Sequence, residues 1–419
     1  MRIDSDDPAV TEALTALLRT VRAEGGDLHE RARVVARGGD LSLHADGPDA
    51  GDARLLEIPD TCLPPITRFT LDRDGDDLVL VDAPDDLPAA TVTALRHLLD
   101  VYNACGKLAV WRAATPWCAL AADSDLRTAL ADLRAGVPKV EQLRRIADAG
   151  ETTPLGVRSF LGARTFNLKA RAETAAEQGH GPGGGEGGDE TPVLAPFVDA
   201  LNHHYRARTF GLTIDPDDIR RLWTHVDRPV AGGTECRVRY APMDAVDAYL
   251  GYAFVDDSAP FLRSVPVTLN VADGGVLDVG AMGGTPFQGQ LPPELEGDRF
   301  HVPPITDSLR AGHLAVARLT LPGPAEAPAL RRVLAFLLDI VQPGKAEADL
   351  DNAIREAEAQ LFAANRARIA DIEHLVESAR ARTPPDAPAG RTAALDAVAR
   401  LMAQMRAHLD AYTDAMGIG

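Results

Sequence analysis

One apolar stripe runs at helical spacing through Leu350, Ile354, Leu361, Ile369, Ile372 and Val376, stops at Thr383-Pro-Pro-Asp-Ala-Pro, and resumes through Leu395, Val398, Leu401, Met405 and Leu409. A stripe along one face of a helix has to be covered, and two such helices joined by a proline-rich break cover each other most simply. Residues 323–419 therefore predict a helical C-terminal domain, and the stripes read as core rather than as a cofactor box.

The remainder mixes both periods. Val10, Leu14, Leu17, Leu18 and Val21 predict an opening helix ended by Gly25-Gly26. Short extended stretches follow at 32–36, 41–45 and 54–58, then a hairpin over 69–81 with Asp74-Gly75 at its turn. From 88 to 166 the pattern is helical, marked by Val92, Leu95, Leu98 and Leu99 and again by Leu126, Leu130 and Leu133. Residues 171–191 are polar and glycine-rich, a composition expected to form a disordered loop. Residues 192–320 return to short strands, around 237–240, 267–271 and 314–321. The chain thus predicts an α+β fold in five segments: 1–86 strand-rich, 87–170 a helical insertion, 171–191 the loop, 192–322 strand-rich again, and 323–419 helical.

The formal net charge of −19 narrows the partners. A protein that binds duplex nucleic acid presents a basic face to the phosphates, and an anionic membrane surface asks for the same. Neither partner is expected here. No apolar run approaches the roughly 20 residues needed to cross a bilayer, and the first ten residues are acidic and polar, unlike a secretory signal. Cys62, Cys105, Cys118 and Cys236 are scattered with no C-x-x-C pair, so reduced thiols in the cytoplasm are expected, not a zinc cluster or a disulfide framework.

Several formal motif matches fail on context. Gly179-His-Gly-Pro-Gly-Gly184 fits G-x-G-x-x-G, but a dinucleotide site needs a buried strand before it and a helix after it, and neither is present in the sequence. Asp72-Arg-Asp-Gly-Asp-Asp77 looks like a calcium loop, yet its glycine is fourth, not sixth, and position twelve is Ala83, not glutamate. There is no G-x-S-x-G elbow, P-loop or H-E-x-x-H. Adjacent His203 and His204 on a strand would point to opposite faces, which argues against a metal pair, and no metal is expected.

Two segments do fit together. The first is Pro196-Phe-Val-Asp199-Ala-Leu-Asn202-His203; the second is Cys236-Arg-Val-Arg-Tyr240, followed by Tyr252-Ala-Phe254-Val255. In order and spacing they resemble the active-site halves of the SET-domain methyltransferases, in the branch that modifies Rubisco lysine and actin histidine. That branch has P-x-x-D-x-x-N-H, then some 35 residues later a strand ending in Tyr-Gly, then a helix ending in Gly-Phe; here Asn202 and Tyr240 are 38 apart. Ser159-Phe-Leu-Gly-Ala163-Arg164-Thr-Phe166 is similar to its Ser-Arg-x-Phe segment. Leu43-His44-Ala45 and Leu55-Leu56-Glu57-Ile58-Pro59 are similar to its opening strands, Gly-x-Gly-Leu-x-Ala and Leu-Leu-x-Ile-Pro. The resemblance spans about residues 28–260, and the helical C-terminus is similar in kind to the family's substrate-binding domain. The chain departs from the pattern at Asp40 and Ser42, in place of the two opening glycines, and at Ala163, Ala241 and Ala253. Asp40 would either obstruct a cofactor at that loop or meet its amino group.

The resemblance implies a SET-type β-fold of short strands and the cofactor S-adenosylmethionine. It implies methyl transfer to a lysine or histidine of a protein or peptide; the alternative is a catalytically inactive SET-like binding or assembly module. It implies that Tyr240 is catalytic, its hydroxyl facing the transferring methyl. Ser42, Leu43, Arg164, Asp199, Asn202 and His203 would bind the cofactor, with Asn202 acting through its amide, His203 through its backbone and Asp199 by fixing the turn. Tyr252 and Phe254 would line the target side-chain channel. Read from the residues alone, Tyr240 also fits a strand tyrosine with a satisfied hydroxyl, Asn202 a turn or cap residue, and Tyr252 a core aromatic.

Overall fold

The computed structural model describes residues 1–47, 53–168, 191–214, 219–230, 232–271, 274–282, 287, 289–310, 312–344 and 346–418. The G-x-G-x-x-G match and the loop expected at 171–191, apart from Thr191, lie outside the described residues. The chain forms two compact units: Met1–Arg112 with Glu151–Pro242, and Ala113–Gly150 with Met243–Gly419. Each is discontinuous in sequence, and the helical stretch 87–170 contributes to both.

In the first unit the opening helix is Pro8–Ala23, capped by Asp7, whose carboxylate accepts from the Ala9 N–H at 2.8 Å. Its five stripe residues are buried, and it packs on the helix Ala89–Ala104. The chain leaves it through Gly25 at φ +80°, and Gly26 has to be glycine because a Cβ there would lie 2.4 Å from Val21 Cγ1. The strands Ala32–Arg37 and Asp40–Ala45 pair antiparallel around Gly38-Gly39, both at positive φ, as a two-residue hairpin turn requires. Alternation along this hairpin buries Val34, Leu41 and Leu43 on one face. Arg2–Ser5 adds a parallel strand beside Ala32–Arg37. A second sheet runs in the order Gly211–Ile214, Arg220–His225, Arg54–Pro59, Asp27–Leu28, and a hairpin joins Thr70–Asp74 to Asp77–Asp82.

Two expectations need correction here. The strand over 237–240 is only Arg237–Val238, with Tyr240 just beyond it. The segment 159–166 is not helical throughout. The helix Thr152–Gly162 ends before Arg164, and Phe166 lies on the strand Thr165–Leu168, paired with Thr191–Leu194. The β-branched and aromatic Thr165-Phe166 suit a strand once a partner is present, and that partner is remote in sequence.

The second unit holds the long helices Glu347–Ala381 and Ala389–Met416, packed on each other, beside Pro328–Val341. Its sheet runs Val267–Val271, Gly275–Val279, His313–Val316, Ile305–Arg310. The extended stretch expected at 314–321 proves to be two strands in different sheets, since Thr320–Pro322 pairs with Phe261–Arg263. A buried ionic cluster ties this unit together. Arg134 donates to both oxygens of Asp244 at 2.7 and 2.6 Å and to Asp247 at 2.6 Å, while Arg263 meets Asp247 through its guanidinium and Asp244 through its backbone N–H at 2.7 Å. Asp244 also caps the helix Ala245–Tyr252 in a reciprocal capping box with Asp247. That helix ends on Ala253 at φ +62°, the left-handed position where a Cβ is strained.

Candidate active site

The chain approaches the candidate site through a strained turn. Phe197 sits at φ +62°, uncommon for a bulky residue, immediately before the single helical turn Val198–Ala200 that carries Asp199. Leu201 and the two-residue strand Asn202–His203 follow. That strand pairs in parallel with Arg237–Val238, in the register Asn202↔Arg237 and His203↔Val238. On its other side the 234–238 segment meets the strand Asp40–Ala45: Cys236 N–H donates to the Leu43 carbonyl at 2.7 Å, and Ala45 N–H donates to the Thr234 carbonyl at 2.9 Å. Residues of three remote stretches are thereby joined side by side. Ser42 and Leu43, Asn202 and His203, and Tyr240 all fall in this part of the first unit.

Tyr240 is fixed twice over. Its N–H donates to His203 Nδ1 at 3.1 Å, and its hydroxyl donates to the Leu201 carbonyl at 2.5 Å. The second bond commits the phenolic proton, so that towards any further group the oxygen acts only as an acceptor. Asn202 donates its amide Nδ2 to Glu235 Oε1 at 2.7 Å, and Arg237 grips Oε2 of the same carboxylate through Nη2 at 2.8 Å and Nε at 3.2 Å. Burial alone would raise the Glu235 carboxyl, but the bonds from Asn202 and Arg237 outweigh it and hold the group below its ordinary value. Nothing in the sequence singled out Glu235. Its only signal was a carboxylate five residues ahead of Tyr240.

At the departure from the glycine pattern, Ser42 Oγ lies 3.0 Å from His44 Nε2, and His44 Nδ1 lies 2.9 Å from Thr234 Oγ1. Burial, and then the charge of Arg33, push the His44 imidazolium down, so the ring is neutral at neutral pH and one nitrogen remains an acceptor. The Asp40 carboxylate, 70% exposed, accepts from the nearly buried Lys107 at 3.2 Å.

Arg164 and Asp199 turn inward. The Arg164 guanidinium lies over the rings of Phe160, Trp111 and Tyr102 at 3.8, 5.1 and 6.0 Å, and its Nη1 donates to the Phe160 carbonyl at 3.2 Å. Its Nε is 3.7 Å from Asp199 Oδ2, an ion pair with side chains 15% and 5% exposed. A cavity of about 10 Å³ beside Asp199, walled by Leu14, Leu17, Val101 and Phe197, has room for one water. Tyr252 and Phe254 belong to the second unit, with ring centroids 6.3 Å apart and Lys139 Nζ 5.1 Å from the Tyr252 ring. Burial lowers the Lys139 ammonium to about 8.

S-adenosylmethionine would bring groups of both kinds, ammonium donors and carboxylate acceptors. Asn202 fits such a ligand: its Oδ1 accepts no hydrogen bond from the described residues, and the side chain is only half-buried. Arg164 is engaged within the chain instead, by the three rings and Asp199.

No protein-family model matches this chain, and no curated protein matches it. Among solved structures it is similar to the SET domain of LSMT bound to lysine and AdoHcy, with a TM-score of 0.42 and 13% identity over 98% of this chain and 92% of that one. It is also similar to Rubisco LSMT bound to sinefungin and monomethyllysine, with a TM-score of 0.38 and 13% identity over 98% and 91% of the two chains. Rubisco LSMT bound to AdoMet gives a TM-score of 0.36 and 14% identity over 97% and 91%.

Proposed function

We propose that the chain is a SET-type methyltransferase that moves a methyl group from S-adenosylmethionine to a lysine or histidine nitrogen of a protein or peptide. One observation carries this reading. The two segments that resemble the family's active-site halves, 38 residues apart, meet through the parallel pair of Asn202–His203 with Arg237–Val238, and Tyr240 is anchored to both Leu201 and His203. The cofactor supplies, when bound, an electrophilic methyl on a sulfonium; the rest falls to the protein.

Methyl transfer is an in-line displacement, so the acceptor nitrogen must be held and its lone pair aimed. A lysine amine with a pKa of about 10.4 is mostly protonated at neutral pH and needs desolvation to become a nucleophile. Tyr240 suits the aiming. With its proton committed to the Leu201 carbonyl, its oxygen accepts from an N–H of the incoming nitrogen and so turns the lone pair the other way. Asn202 offers a carbonyl acceptor, and Ser42 and Leu43 lie one strand away, across the 234–238 segment. Asp199 braces the turn that carries Asn202, through its pair with Arg164.

The Asp40–Lys107 pair, where the family has glycine, favours the second reading, a SET-like module without catalysis. Incubation with radiolabelled S-adenosylmethionine and a protein extract separates the two. Methyl-lysine or methyl-histidine in the acid hydrolysate supports transfer, and a folded protein that labels nothing favours the module.

A further inference from the structure

The amide of Asn202 has two ends of opposite character, a donating NH₂ and an accepting carbonyl, and which end faces a ligand decides what it can recognise. A carboxylate can only accept. Glu235 is kept ionised by Arg237, and its Oε1 takes the Asn202 NH₂ at 2.7 Å. Turning the amide over would set carbonyl oxygen against carboxylate oxygen, two acceptors without a proton between them. Glu235 is itself held in place: Arg237 stands on the strand paired with Asn202, and the backbone of Glu235 bridges to His44.

We propose that Glu235 is the positioning residue that fixes the Asn202 amide, so that the site presents a carbonyl oxygen and selects an ammonium group of its ligand over a carboxylate. This rests on the reading that the site binds S-adenosylmethionine, whose amino-acid end carries both groups. Glutamine at 235 can accept from Asn202 NH₂ or donate to its carbonyl, so the amide loses its fixed orientation while side-chain size is kept.

The experiment is calorimetric titration of three ligands into the full chain: S-adenosylhomocysteine, its analogue lacking the α-amino group, and its analogue lacking the α-carboxylate. The wild type is expected to bind the deaminated analogue at least about 10-fold more weakly than the parent, the scale of one hydrogen bond to a charged group. In Glu235→Gln this preference falls to about 2-fold or less, with the penalty for losing the carboxylate unchanged, as a purely positional effect predicts. A double-mutant cycle with Asn202→Ala guards against a general structural effect. If Glu235 acts through Asn202, the double variant binds like Asn202→Ala alone; if the two losses simply add, the inference is wrong. A Glu235→Gln protein that keeps the wild-type preference, or a wild type with none, also overturns it. If S-adenosylhomocysteine itself does not bind the folded wild type, the underlying methyltransferase reading fails, and this inference falls with it.

Discussion

Tyr240 donates its hydroxyl to the backbone carbonyl of Leu201 at 2.5 Å, tying the end of the Cys236–Tyr240 segment to the segment that carries Asn202, across 39 residues of chain. The bond serves the fold and, in the proposed reaction, fixes which function the phenol has left to offer. The two roles are separable, because losing one neutral hydrogen bond has a bounded effect on stability.

Tyr240→Phe keeps the ring and removes the hydroxyl. The Leu201 carbonyl then loses its donor, at a cost of about 1 kcal/mol in unfolding free energy. Methyl transfer should fall about 100-fold or more, equivalent to about 2.7 kcal/mol in the barrier. Denaturant unfolding and single-turnover labelling measure the two effects; equal turnover in variant and wild type would make Tyr240 purely structural.

Ala253 ends its helix at φ +62° with a side chain that disfavours that conformation. Ala253→Gly should stabilise the protein by about 0.5–1 kcal/mol, the strain relieved exceeding the extra freedom of the unfolded chain. A higher denaturation midpoint with an unchanged slope is the expected result.

Asp244 is fully buried beneath Arg134. Asp244→Asn leaves that guanidinium undercompensated and should cost about 3–5 kcal/mol, far more than a surface ion pair is worth. The same cluster predicts acid sensitivity. Burial would raise the Asp247 carboxyl, but Arg263 and Arg134 outweigh it and hold it below its ordinary 3.8. Its contribution is therefore fully present above 3.8 and is lost as the pH falls through the depressed folded value. Unfolding free energy measured from pH 6 downward should decline in that acid window, and a flat profile there would count against the cluster's contribution.

Arg164 is held by three rings and a buried carboxylate. Arg164→Ala should cost about 2 kcal/mol or more, through lost cation–π packing and an Asp199 carboxylate left buried without its partner. Thermal unfolding tests this, and a variant as stable as wild type would place the guanidinium outside the core.

The long helices were legible because each buries a stripe that repeats along its own sequence, as in Val10 to Val21 or Ile354 to Val376. The extended stretches at 32–36 and 41–45 were legible for the same reason at period two, whereas 54–58 is a short apolar run buried at Leu55, Leu56 and Ile58 without alternation. What escaped is structure whose cause lies elsewhere in the chain. Arg2–Ser5 has no apolar alternation and is a strand only because Ala32–Arg37 accepts it as a parallel neighbour. The left-handed Phe197 cannot be read from a residue type that avoids that conformation. Asn202 and Tyr240 could be singled out by spacing, whereas Glu235 acquires significance only when folding brings the Asn202 amide within 2.7 Å.

The proposed function requires that S-adenosylmethionine bind at Asn202, His203 and Tyr240. Isothermal titration of the purified chain with that compound tests it before any acceptor is known. Saturable binding of one ligand per chain is expected in the wild type, and its loss in an Asn202→Ala variant that remains folded. No heat of binding at millimolar ligand, or undiminished binding by folded Asn202→Ala, would contradict it.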